Sequence, residues 1–241
     1  DHAPTHRTLF KIYGWPVLNE QNNIPEAIIF DWDDTLASNW QSIHEALNAT
    51  LMAMGHETWP IEKTRANVRR ALRESFPEMF GDSWEKAADI FYDHIRSHHL
   101  QTLKSLDFAA EILEQISAAG IMLGIVSNKT GYLLRAECEH LGWSKYFTAI
   151  IGATDAEKDK PAPDPIYLCL EGTKIKPSKN IWYVGDAPTD LECAHNANLT
   201  AVLIRDSAIT AEYERFPPHH HFENLNKMAT FLDNLKQTLL K

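Results

Sequence analysis

The stretch Ala27-Ile28-Ile29-Phe30-Asp31-Trp32-Asp33-Asp34-Thr35 decides the fold. Its first four residues form a short continuous apolar run, the pattern of a strand buried on both faces in the middle of a parallel sheet. Asp31 stands where that strand ends. In an open parallel sheet, ligands and chemistry gather at the carboxyl ends of the strands, where the loops leave.

Working outward, residues 38–106 change to a helical period. Ile43, Ala46, Leu47, Thr50, Leu51 and Met54 recur at helical spacing up to Gly55. Val68, Leu72 and Phe76 continue the period to Pro77, and Trp84, Ala87, Ala88, Phe91 and Ile95 form another stripe. This predicts a small helical unit inserted after the first strand, with Arg69 and Arg73 on one helical face. After it, Asp107 is expected to cap a helix that carries Ala110, Ile112, Leu113 and Ile116 and stops at Gly120. Strands over 121–126, 148–151, 181–184 and 201–204 then alternate with helices over 130–141, 165–170 and 189–197. An amphipathic helix over 224–240 closes the chain.

Such alternation implies an α/β fold, a Rossmann-like parallel sheet covered by helices on both faces. The core comprises residues 24–37 and 107–241, and the helical insertion residues 38–106. Residues 1–23 read as an extension whose Tyr13, Trp15 and Val17 are placed to pack on the core.

With 241 residues, 23 of them basic and 33 acidic, the chain carries a net charge of −10. That balance argues against a general nucleic-acid or anionic-membrane surface. Cys138, Cys169 and Cys193 form no Cys-x-x-Cys pair, and an odd count suits a reducing compartment, so the cytoplasm is the expected location. No run approaches the roughly 18 apolar residues of a membrane span. A soluble monomer or homodimer is expected.

Chemistry-bearing groups recur after the apolar runs: Asp31 to Thr35, Ser127-Asn128, Lys160-Pro161-Ala162-Pro163-Asp164, and Gly185-Asp186 through Asp190. Their order and gaps resemble the four signature motifs of the haloacid dehalogenase superfamily, nearest to its phosphoglycolate phosphatase and β-phosphoglucomutase branch. The resemblance spans residues 24–205 and implies a phosphatase with a helical cap, here residues 38–106. It further implies that Asp31 is the nucleophile that forms an aspartyl-phosphate, and that Asp33 is the acid and base. By the same resemblance Mg²⁺ is held by Asp31, the Asp33 carbonyl and Asp186, with Asp190 behind them on metal waters or on Lys160. Dehalogenase relatives lack a second aspartate at the position of Asp33, so its presence favours phosphate esters.

The residue types support that chemistry. Clustered carboxylates repel a phosphate dianion unless a divalent cation lies between them, and Mg²⁺ suits a few carboxylates plus phosphate oxygens. Ser127 offers a hydroxyl donor and Lys160 a compact positive charge to the phosphate oxygens. Thr35 and Asn128 complete the expected phosphate site. Arg69 and Arg73, within the cluster Arg65, Arg69, Arg70 and Arg73, are candidates for a substrate carboxylate, against the alternative of a solvated helix face.

Asp34 and Trp32 depart from the family pattern. Asp34 is expected to adopt a left-handed turn and face away, and Trp32 to pack beneath the cap or beside the entrance. His94, His98 and His99, and His219 to His221, read as surface residues rather than metal ligands. The expected activity is Mg²⁺-dependent hydrolysis of a small phosphorylated metabolite, phosphoglycolate leading. A sugar phosphomutase and a non-catalytic phosphate-binding module are the alternatives. His44 is displaced from the mutase pattern by about one residue and no lysine accompanies it, which favours the phosphatase.

Overall fold

The computed structural model describes residues 24–239, so the residues of the N-terminal extension, including Tyr13, Trp15 and Val17, lie outside it. Ala27–Phe30 forms β1, buried at every position. It pairs in parallel with β4 (Met122–Thr130) on one side and β6 (Ile181–Gly185) on the other. Strands β5 (Ala149–Ala153), β7 (Thr200–Ile204) and β8 (His220–Phe222) extend the sheet to the order β5-β4-β1-β6-β7-β8, parallel throughout. Chain order runs outward from β1 through β4 to β5 and returns to β6 on the other side. The crevice for a ligand therefore opens at the carboxyl ends around β1.

Alternation of side chains sends Ile28 and Phe30 to one face of the sheet, and Ala27 and Ile29 to the other. The first face is covered by α5 (Ala109–Ala118) and α9 (Leu225–Leu239) through Ile112, Leu113, Ile116, Met228 and Leu232. Residues of α7 (Asp164–Leu170) and α8 (Pro188–Asn196), among them Ile166, Leu170, Leu191 and Ala194, cover the second. Helix α6 (Gly131–His140) follows β4 directly.

Helices α1 (Trp40–Ala53), α2 (Ile61–Asn67), α3 (Leu72–Phe80) and α4 (Trp84–Thr102) gather an apolar cluster of their own. At its centre Phe76 meets Phe80 and Phe91 edge-to-face, with centroids 5.1 and 5.5 Å away. The chain enters and leaves this unit through a two-stranded antiparallel ladder, β2 (Ala37–Ser38) against β3 (Lys104–Ser105).

Several expectations are corrected. Asp107 does not cap α5: Phe108, at φ 63°, occupies the cap position and no side chain bonds there. The helical period does not stop at Pro77, which lies inside α3 and costs that helix one backbone hydrogen bond. Arg69 and Arg73 share no helical face, because the chain is extended at Ala71 between α2 and α3. There the Arg69 carbonyl accepts a hydrogen bond from Asn128 Nδ2 (3.3 Å) and Ala71 is fully buried, so contacts with the rest of the fold override the local period. The unforeseen β8 lies within the histidine run.

Among the histidines His98 is exposed as expected, while others are less so. His219 is half-buried and its Nδ1 accepts the Ala201 N–H (2.8 Å); burial, then the Lys179 charge, hold its pKa down at about 3. His99 is buried against Glu137. All three cysteines are buried and unpaired, with burial pushing their thiols up to about 11 for Cys138 and about 12 for Cys169 and Cys193. Among the described residues no helix is long and apolar enough to cross a membrane.

Candidate active site

The sheet register sets the site. Phe30 lies opposite both Ile125 and Val184, so the residues that follow emerge side by side. The Asp31 N–H donates to the Val184 carbonyl (2.8 Å), fixing the Asp31 loop against the end of β6. Asp31, Asp33, Ser127, Asn128, Lys160, Asp186 and Asp190 all line one cavity of about 130 Å³.

Lys160 is buried and donates to Asp31 Oδ1 (2.8 Å) and Asp190 Oδ1 (2.7 Å). Against the cost of burial, the charges of Asp190 and then Asp31 raise its pKa, so it stays protonated. Asp190 is fully committed: its other oxygen accepts the backbone N–H groups of Asp186 (3.1 Å) and Ala187 (3.0 Å) at the start of α8. A Cβ on residue 185 would run into that carboxylate, which is why glycine stands there. Asp190 thus holds both the lysine and the loop that presents Asp186.

Carboxylate oxygens of Asp31, Asp186 and Asp190 lie within 4.8 Å of one another. Burial and the neighbouring Asp190 push the Asp31 carboxyl up, with Lys160 opposing. Burial and the charges of Asp190, Asp31 and Asp34 push Asp186 well above the carboxylate range. The nearest cation to Asp186 is Arg69, at a loose 3.8 Å. This is a donor set short of positive charge, of oxygen ligands only, and it fits a hard divalent ion such as Mg²⁺.

Asp33 is a different carboxyl. Burial raises its pKa to about 7, with Lys129 lowering it and Glu137 raising it, so it exchanges a proton near neutrality. Lys129 donates to Asp33 Oδ1 (3.0 Å) and to Glu137 Oε2 (2.7 Å). The sequence reading missed both partners. Lys129 could have been found as the cation directly after Ser127-Asn128, and Glu137 as a lone acid on the apolar face of α6 beside Leu133, Leu134 and Cys138.

The other expected site residues divide between the cavity and the surrounding fold. Thr35 is fully buried, does not line the cavity, and its hydroxyl has no partner among the described residues. Asn128 lines the cavity, but its side chain spans the Lys160 backbone, accepting from the N–H (3.0 Å) and donating to the carbonyl (3.1 Å). Arg73 reaches away from the cavity to buried Asp159 (2.5 Å) and the Glu157 carbonyl (3.1 Å), fastening α3 beside Lys160. Arg69 and Arg70 line the cavity, and Arg70 is paired with Glu78.

Asp34 sits at φ 58° and does not itself line the cavity; its carboxylate accepts the indole N–H of Trp40, which does (2.6 Å). Trp32 is not at the entrance. It is fully buried in the core, edge-on to Trp143 at 5.9 Å, with its indole N–H on Glu137 (2.7 Å).

A family profile described as haloacid dehalogenase-like hydrolase matches residues 28–204, which takes in every one of these groups. The chain belongs to the haloacid dehalogenase-like hydrolases. Within that family it is similar to a phosphoglycolate phosphatase of Xylella fastidiosa, 27% identical over 192 residues, covering 77% of this chain and 83% of the relative. Among solved structures it resembles a haloacid dehalogenase superfamily hydrolase from Ehrlichia chaffeensis, with TM-score 0.62, 25% identity, and 89% and 98% of the two chains covered. A haloacid dehalogenase-like family hydrolase from Streptococcus pneumoniae shares the fold at TM-score 0.74 and 21% identity, covering 85% of this chain and 97% of its own. The parallel sheet of this haloacid dehalogenase-like hydrolase is thus the family's architecture, with Asp31 on the loop after its central strand.

Proposed function

We propose that the protein is a Mg²⁺-dependent phosphatase that hydrolyses a small phosphorylated metabolite through an aspartyl-phosphate on Asp31, with phosphoglycolate the leading substrate. The observation that carries this reading is the convergence of Asp31, Asp186 and Lys160 in one small cavity, beside a second aspartate whose pKa is about 7. Relatives named phosphoglycolate phosphatase support the substrate class.

In the first half-reaction an Asp31 oxygen bonds to phosphorus while the ester P–O bond breaks, and Asp33 gives its proton to the departing oxygen. In the second, Asp33 takes a proton from water as that water attacks the aspartyl-phosphate, releasing inorganic phosphate and restoring Asp31. Lys160 and the Ser127 hydroxyl are the donors for the non-bridging oxygens, where transition-state charge resides. Asn128 holds Lys160 in place from its backbone. Mg²⁺, held by Asp31 and Asp186, would neutralise charge on the transferring phosphoryl group.

The opposite wall comes from the helical unit and is largely apolar, with Ile43, Leu47, Val68, Leu72, Phe76 and Phe91 beside Ser75, Arg69 and Arg70. What weighs against the phosphomutase reading is that no lysine accompanies His44 between Leu36 and Leu51. His44 is also engaged elsewhere, 3.0 Å from the Thr64 hydroxyl. The presence of Asp31, Asp33, Lys160 and Asp186 together weighs against a module that only binds.

Phosphate release from a panel of small esters, with Mg²⁺ and after thorough chelation, tests the reading. Chelation abolishes release and Mg²⁺ restores it. Mg²⁺ also raises the melting temperature, because an ion that binds only the folded carboxylate cluster stabilises it by mass action. Full activity in metal-free protein would overturn the proposal.

Arg69 is the cavity-lining cation free of a tight partner among the described residues, so a substrate carboxylate falls to it. Arg69→Ala is expected to lower kcat/KM for phosphoglycolate roughly 10- to 100-fold, the equivalent of about 1.5–3 kcal/mol for a charge-assisted hydrogen bond. Hydrolysis of an ester with an uncharged leaving group changes little. Parallel kinetics on the two esters read the difference directly.

A further inference from the structure

Glu137 is completely buried, yet it meets four donors. Its Oε1 accepts from Asn39 Nδ2 (2.8 Å) and His99 Nδ1 (2.9 Å), and its Oε2 accepts from Trp32 Nε1 (2.7 Å) and Lys129 Nζ (2.7 Å). Four donors use all the lone-pair directions of a carboxylate, so the side chain has one permitted placement. A buried network satisfied in this way is rigid, and loss of one member leaves the others unpaired.

The donors come from distinct places. Trp32 precedes Asp33 in the nucleophile loop. Asn39 follows β2, and His99 and Thr102 precede β3, so they flank the two strands through which the helical unit is entered and left. Asn39 ties these together, donating also to the His99 carbonyl (2.8 Å) and accepting from the Thr102 hydroxyl (2.7 Å). The remaining arm is Lys129, whose ammonium spans Glu137 and Asp33 Oδ1 (3.0 Å) at the cavity wall.

We infer that Lys129, anchored by Glu137, is a positioning residue that holds the Asp33 carboxyl toward the leaving-group oxygen, and that Glu137 ties this hold to Asn39 and His99 beside the β2–β3 ladder. The inference rests on the phosphatase reading above and adds to it a structural reason for the placement of Asp33. Asp33 lines the cavity and its Oδ1 accepts from Lys129, so in this role Oδ2 is the oxygen that carries the proton. Lys129 makes no bond to the phosphoryl group in this role.

A role in aiming a general acid has a signature that a role in folding or phosphate binding lacks. Poor leaving groups need the proton and good ones do not. The test is kcat/KM, which reports the first half-reaction, for an alkyl phosphate and for p-nitrophenyl phosphate with Mg²⁺ present. For Lys129→Met the expected loss on the alkyl ester is on the order of 100-fold, the lower range for general acid catalysis, with p-nitrophenyl phosphate much less affected. Glu137→Gln places an N–H where a donor must be accepted and should reproduce the pattern with smaller amplitude. It carries the test if Lys129→Met does not fold, as judged by a thermal melt. Proportional losses on both esters, or none on either, overturn the inference while leaving the phosphatase reading intact. A parent enzyme that cleaves neither ester removes both.

Discussion

Asp31→Asn is expected to reduce phosphate release by at least about 10⁴-fold, because an amide is a poor nucleophile and a weak ligand for a hard cation. The same variant should melt no lower than the parent when both are metal-free. Burial and the Asp190 charge already push the Asp31 carboxyl toward its neutral form, and the neutral, nearly isosteric amide removes that repulsion. Lys160 keeps its second partner, Asp190, at 2.7 Å. Quench-flow with radiolabelled ester reads the chemistry and a thermal melt the stability. An unimpaired Asp31→Asn enzyme would rule out the covalent mechanism.

Lys160→Met is expected to lose activity and stability together. Lys160 is the buried cation that contacts both Asp31 and Asp190, and its removal leaves two carboxylates buried without it. Breaking a buried ion pair by deleting one partner costs about 3–5 kcal/mol, much of it the cost of the charge left behind. Mg²⁺ should recover part of the melting temperature but not the turnover, since the donor to the phosphate oxygens is still missing. Chemical denaturation with and without Mg²⁺ separates the two effects. A Lys160→Met protein as stable as the parent in metal-free buffer would show that the carboxylates do not depend on this charge.

The two variants differ because of what each leaves behind. Asp31→Asn removes a charge from a crowded anionic cluster, whereas Lys160→Met removes the charge that makes the cluster tolerable. Opposite stability effects from neighbouring residues in one cavity are therefore the expected result.

Apart from β8, the strands and helices of the core were legible in the sequence because a buried parallel strand and an amphipathic helix leave local patterns. Ala27 to Phe30 is apolar at every position and is buried at every position. The residues of the cavity were legible for a related reason: Asp31, Ser127 and Asp186 all follow such runs, and parallel register brings the ends of such runs to one edge. Where local pattern and tertiary contact disagreed, contact won. The period through Val68 and Leu72 predicted one helix, but burial of Ala71 and the Asn128 bond to Arg69 hold the chain open there.

Partners distant in sequence had no local signal. Nothing in the spacing of Lys129 and Glu137 shows that they enclose Asp33, about one hundred residues away, or that Arg73 would turn to Asp159 rather than to substrate. Thr35 carried the right chemistry in the right motif and was folded out of reach. By itself, then, the sequence determined the parallel sheet, the edge at which chemistry occurs and the residue types gathered there, since each depends on short-range hydrophobic pattern. Only the tertiary structure decided which carboxyl is paired, which is left to hold a cation and which can carry a proton, because those depend on burial and on charges brought together across the whole chain.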